Sequence, residues 1–133
     1  MNIKYWNELE NNFIINKVFS RKVEIGNVDL FNVEILRSGP SIRFYFDLVN
    51  DLPDLPFPKW GRPNIDYNKC RIGINCFGVK DLLISGLDTD MLLNVLITKD
   101  STYKITFSND IVNFNIECLN LSLVPPNVYL SSA

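Results

Sequence analysis

The feature that most constrains this chain is a strict alternation of apolar and polar residues, repeated along its length at a period of two. The clearest instance is Ile42-Arg43-Phe44-Tyr45-Phe46-Asp47-Leu48. Successive side chains of a strand point to opposite faces, so Ile42, Phe44, Phe46 and Leu48 share one face and Arg43, Tyr45 and Asp47 the other. A helix would scatter the same residues around its circumference. Phe31, Val33 and Ile35 form a similar set just upstream, and Ser38-Gly39-Pro40-Ser41 supplies turn residues between the two. Residues 28–48 therefore read as a β-hairpin with a four-residue connection.

The pattern returns at Cys70–Cys76, at Leu82 and Ile84 between Gly78 and Gly86, at Tyr103–Phe107, and at Val112–Cys118. Leu93, Val95 and Ile97 alternate too, but Leu92 and Leu96 leave that segment open between strand and helix. The apolar phase slips by one residue at Leu30–Phe31 and again at Cys118–Leu119. One inserted residue in a strand produces such a slip, so a β-bulge is expected at each place. Near the N-terminus, Trp6, Leu9 and Phe13 are spaced for one helical face, and residues 4–13 read as a short helix or irregular helical turn. The expected fold is mostly β: an antiparallel sandwich or partly open barrel of about seven or eight strands with a short N-terminal helix. At 133 residues, with 47% hydrophobic, the chain suits a single domain spanning 1–133.

Residues 50–66 break the pattern. Four of the seven prolines, Pro53, Pro56, Pro58 and Pro63, fall here. Proline fixes φ and lacks an amide donor, so the segment reads as a stiff, extended loop and not as a central strand. Loops of this length in compact domains are uncommon and often functional.

Composition excludes several function classes. There is no histidine, which removes Ser-His-Asp and Cys-His catalysis. Six glycines are scattered singly, without a phosphate-cradling loop. Fifteen Asp and Glu leave carboxylate hydrolysis as a remote reading, which needs two carboxyls held in one cleft. The net charge of −2 argues against nucleic acid as a partner. Cys70, Cys76 and Cys118 read as buried hydrophobes of a reducing compartment, with neither CxxC nor His to build a zinc site. Neither a metal nor a cofactor is expected. Met1–Trp6 lacks the pattern of a signal peptide and no apolar run is long enough to span a bilayer, so a cytoplasmic location away from membranes is expected.

The candidate site residues lie in loops. Asp47, Asp51 and Asp54 gather where the 42–48 strand enters the Pro-rich loop; they read first as a solvated turn, and otherwise as an acidic patch that steers a basic partner. Asp88 and Asp90 extend that patch if their loop folds nearby. Trp60, in Pro58-Lys59-Trp60-Gly61-Arg62, reads first as an anchor of the loop, and otherwise, with Arg62, as a hot spot for a partner.

Trp6-x-x-Leu9, a strand pair, a Pro-rich loop ending in Pro58-Lys59-Trp60, then Cys70–Phe77 running into Gly78-Val79-x-x-Leu82, and a closing Phe114–Leu123 strand form an order that resembles the immunity protein 50 group of bacterial toxin–immunity systems. The resemblance spans most of the chain. It implies a cytoplasmic antidote without chemistry of its own, which binds one cognate toxin domain and blocks it. Similar sequences often carry Phe-Gly where this chain has Phe19-Ser20, a departure that bears on the local turn. The alternative function is a small β-rich module for a sugar or lipid, which needs a concave site lined by aromatics such as Tyr45, Tyr67 or Phe77. Exposed strand edges leave monomer and homodimer both open.

Overall fold

The computed structural model describes residues 1–132. Seven strands form one antiparallel sheet: β1 (Asn2–Ile3), β2 (Asn27–Leu36), β3 (Ser41–Leu48), β4 (Lys69–Ser85), β5 (Leu92–Lys99), β6 (Tyr103–Ser108) and β7 (Asn113–Tyr129). Their order is β1-β5-β2-β3-β4-β7-β6, and β5 also pairs with β6. That extra pairing closes the sheet on itself, so the fold is a barrel in which β1 extends one side of β5. Among the described residues no helix is long and apolar enough to cross a membrane.

Alternation did most of the placing. Ile42, Phe44, Phe46 and Leu48 are buried, as are Cys70, Ile72, Ile74 and Cys76. The ambiguous segment is a strand: in β5, Leu93, Val95 and Ile97 face inward while Leu92 and Leu96 are exposed. Aromatic rings fill the barrel. Phe44 stacks on Phe107 at 4.6 Å between centroids and meets Phe114 edge-on at 5.9 Å. Phe46 packs against Phe107 at 5.7 Å, and Trp6 covers Phe46 at 5.0 Å.

The first expected bulge lies in place: the β2–β3 register shifts between Leu30 and Asn32, leaving Phe31 as the extra residue. At the second, burial does change phase, since Cys118 and Leu121 are buried while Leu119 and Asn120 are exposed. The extra residue, however, belongs to the facing strand, where the β4–β7 register shifts between Val79 and Asp81. The runs before and after Gly78 are one 17-residue strand, not two. Gly78 bends it at φ 62°, a left-handed conformation that a side chain disfavours. A further shift sets Ile72 against Pro125 and Pro126, where, among the described residues, β7 has no second strand neighbour to need their missing amide donors.

The N-terminal segment departs from expectation. A short 3-10 turn covers Trp6–Glu8, and the helix α1 occupies Phe13–Val18. Trp6 and Leu9 are buried, but Phe13 is 64% exposed. Asn11 at φ 62° separates the two turns, so no helix continues from residue 4 to 13.

All three cysteines are free and buried. Burial in an apolar strand face pushes the Cys70 thiol up to about 12. Folded protein at pH 8 should therefore leave Cys70 unlabelled by iodoacetamide over times that label the urea-unfolded chain completely. Rapid labelling under native conditions would mean that the barrel opens there.

Candidate functional site

The expected acidic patch is largely consumed by the fold. Asp47 points to the outer face of β3 yet is only 7% exposed, because Arg71 and Tyr129 cover it. The Arg71 guanidinium grips both carboxylate oxygens, Nε at 2.9 Å and Nη2 at 3.2 Å, and also donates to the Tyr129 hydroxyl at 3.0 Å. Tyr129 in turn donates to Asp47. Burial opposes the Arg71 charge, but the hydrogen bond and the charge of Asp47 outweigh it and raise the Arg71 pKa. The guanidinium carbon lies over the Phe31 ring, 3.7 Å from its centroid. Asp47 thus joins β3, β4 and β7 and offers no free charge to a partner.

Asp51 and Asp54 tie the Pro-rich loop to the N-terminal segment. Asp51 pairs with Arg21 at 2.6 Å, an exposed ion pair worth at most about 1 kcal/mol. Asp54 accepts the backbone amide of Ser20 at 2.9 Å and also its hydroxyl. The hydroxyl contact is one that a glycine at position 20 would lack. Trp60 is half-buried, edge-on to Phe57 at 4.9 Å, and packed against the core, the geometry of an anchor. The Tyr67 hydroxyl donates to the Pro53 carbonyl at 2.6 Å from a fully buried position. Arg62, Leu55 and Ile65 stay exposed, so the loop is fixed at its base and open along its outer side.

These contacts have a pH signature. The Ser20 hydroxyl, and then its amide, holds Asp54 below its ordinary value of 3.8; the Tyr5 amide, and then that of Lys4, holds Glu8 below 4.5. Both carboxyls bind protons less readily folded than unfolded. Their stabilisation is thus complete above about pH 5 and is lost as pH falls through the lowered folded values. Urea melts between about pH 5 and pH 2 should show Asp54→Asn less stable than wild type at the upper end and converging with it at the lower. A constant gap would contradict this.

Asp88 and Asp90 do not join the other aspartates. β3 leaves Leu48 heading past the start of β2, whereas the chain preceding Leu92 runs beside Leu30 and beyond. The two loops diverge in opposite directions along β2. Asp88 accepts the amide of Thr89 at 2.7 Å, with the Thr89 hydroxyl at 3.5 Å, and Asp90 accepts the amide of Leu92 at 3.1 Å. With Asp110 they line a small hollow that also takes in Ile111. Among the described residues none of these three carboxylates enters an ion pair.

On the other side of the 86–91 loop lies a surface that sequence reasoning missed. β5 pairs with β2 only from Asn27 to Asp29, because β5 begins at Leu92, opposite Asp29. Beyond Asp29, β2 has β3 on one side and, among the described residues, no strand on the other. The gap is a groove of about 340 Å³ whose walls include Phe31, Val33, Ile35, Ile84, Leu87 and Met91. Phe31, Ile35 and Leu87 are 64%, 62% and 73% exposed. The aromatics proposed for a ligand pocket do not converge: Tyr67 is buried and already bonded, Phe77 is exposed on β4, and Tyr45 lies on the outer face of β3.

Comparison with known proteins decides the family. The model of the family described as immunity protein 50 matches residues 11–129. The chain belongs to the immunity protein 50 family. No curated protein and no solved structure matches it. For this immunity protein 50 member, the matched span takes in the Pro-rich loop, the 86–91 loop and all six strands of the closed ring. Family membership supports a general immunity role, and it places the interest of the molecule on its surface.

Proposed function

We propose that this protein is the antidote to one bacterial toxin domain, which it binds in the cytoplasm and neutralises by occlusion. The observation that carries this reading is the family match over residues 11–129. The chemistry of the chain supports it. Buried apolar side chains line the barrel interior, and histidine is absent. A rigid platform with exposed apolar side chains between loops suits an inhibitory interface of about 1,200–2,000 Å².

The test is co-expression with the toxin candidate encoded beside this gene. Growth should be restored only when both proteins are made, and the two should co-elute as one complex. Restored growth without a stable complex would contradict occlusion, and continued toxicity would contradict the antidote reading altogether.

A further inference from the structure

The two loops flanking β2 differ in what they leave free. Around the Pro-rich loop, Asp47, Asp51 and Asp54 are all satisfied by groups of the same chain. Around the 86–91 loop, Asp88 and Asp90 accept hydrogen bonds only from their sequence neighbours Thr89 and Leu92, and among the described residues no side chain from another element reaches them. Asp88, Asp90 and Asp110 carry charge without a counter-ion, and Leu87 stands out beside them with its side chain in water.

That loop is also held in place. Gly86 takes φ 73° and passes so close to Ile111 that a Cβ there would lie 2.1 Å from the Ile111 carbonyl oxygen. The Asn109 side chain accepts the amides of Ile111 and Val112 at 2.8 and 2.7 Å and donates to the Leu92 carbonyl at 3.2 Å. A pinned loop loses little freedom on binding, which favours tight association. Across the groove, β2 from Phe31 to Leu36 offers an edge that no strand of this chain occupies among the described residues. An open strand edge lined by apolar side chains is a template for an added strand.

We infer that an extended segment of the toxin lies along the free edge of β2, seats an apolar side chain between Phe31, Ile84 and Leu87, and sets Lys or Arg residues against Asp88, Asp90 and Asp110. This rests on the toxin-binding reading and names the face and the chemistry of the bound segment. Charge complementarity selects this occupant over a second copy of the chain. Two copies meeting face to face here would bring together two sets of unpaired carboxylates on a molecule already at −2.

The experiment uses the full chain and the adjacent-gene toxin candidate, made inactive by substitution in its own active site. Leu87→Glu alters a side chain in water, so folding is retained, and it should raise the dissociation constant at least about thirty-fold. Asp88→Asn, Asp90→Asn and Asp110→Asn together keep the turn acceptors and remove three charges. That triple variant should slow association about ten-fold at low salt and much less at high salt. Leu55→Glu on the Pro-rich loop should leave binding within about two-fold, the scale of a surface change. In the complex, hydrogen exchange at the amides of 31–36 should slow.

Tight binding by wild type with unchanged binding by Leu87→Glu overturns the inference and leaves the antidote reading standing. Unprotected 31–36 amides in an intact complex overturn the strand-addition geometry. If Leu87→Glu instead converts a dimer of this chain to monomer while toxin binding persists, the occupant is a second copy and the inference is wrong. Absence of wild-type binding removes both readings together.

Discussion

Phe44→Ala is expected to lower the unfolding free energy by about 3–5 kcal/mol, the range for truncating a fully buried phenylalanine. Phe44 is completely enclosed and touches the two rings, Phe107 and Phe114, that join β3 to the opposite wall of the barrel. Those strands are tied to others along both edges, so the wall cannot collapse freely into the space and much of the cavity persists. For a domain whose whole stability is of order 5–15 kcal/mol, this removes a large share. The urea midpoint, followed by tryptophan fluorescence, should drop sharply with little change in slope. Phe44→Leu should cost clearly less. Below saturating denaturant the folded fraction of either variant should still bind its partner, because the substitution lies inside and the proposed contact face outside. A cost under about 1 kcal/mol for Phe44→Ala would mean that the barrel interior is not close-packed.

The second large effect is expected at Gly86→Ala. Two penalties coincide there: a left-handed φ of 73°, and a new methyl group 2.1 Å from a backbone oxygen that has no rotamer to escape into. The first costs about 1–2 kcal/mol and the second about 1–3 kcal/mol. The chain relieves the clash only by moving the 86–91 loop away from Ile111, which shifts Leu87, Asp88 and Asp90. Binding of the partner should therefore fall along with stability, unlike the behaviour expected of Phe44→Ala. Gly26→Ala is the matched control, since nothing lies within 4 Å of a Cβ there, and it should change stability by no more than about 0.5 kcal/mol. Equal effects at Gly26 and Gly86 would contradict this account of the loop.

What could be read in advance, and what not, follows from the range of each interaction. Alternation is local, and it located the walls of the barrel from Ile42–Leu48 through Phe114–Cys118. The bulge at Phe31 announced itself as a one-residue change of phase for the same reason. The N-terminal helix was misplaced because Trp6 and Leu9 keep their three-residue spacing in a 3-10 turn as well as in a helix. What separates them from Phe13 is the left-handed Asn11, which the spacing does not reveal. Gly78 reads in the sequence as a break between two runs, whereas β4 bends there and runs on.

The site residues depend on contacts distant in sequence. Asp47 sits 24 residues from Arg71 and 82 from Tyr129, so its pairing is invisible until β3, β4 and β7 are side by side. The groove is less legible still, since it exists because β5 begins only opposite Asp29 and leaves the rest of β2 without a partner on that edge, a fact of strand pairing. Leu87, Asp88 and Asp90 were visible as a loop, but the hydrophobic wall opposite them was not. In the sequence Ile84 and Phe31 are apolar members of two separate strands, with nothing to pair them across a groove.

The central claim is that this chain neutralises a toxin by occupying it and by nothing else. The most direct measurement is a titration of the purified, active toxin candidate with the purified protein, followed by unfolding and separation of the complex. Inhibition should end sharply at a fixed whole-number ratio, and the recovered toxin should have unchanged mass and full activity after refolding. Complete inhibition at a small fraction of that ratio, or a toxin recovered cleaved or modified, would show that the protein acts by chemistry and contradict the claim.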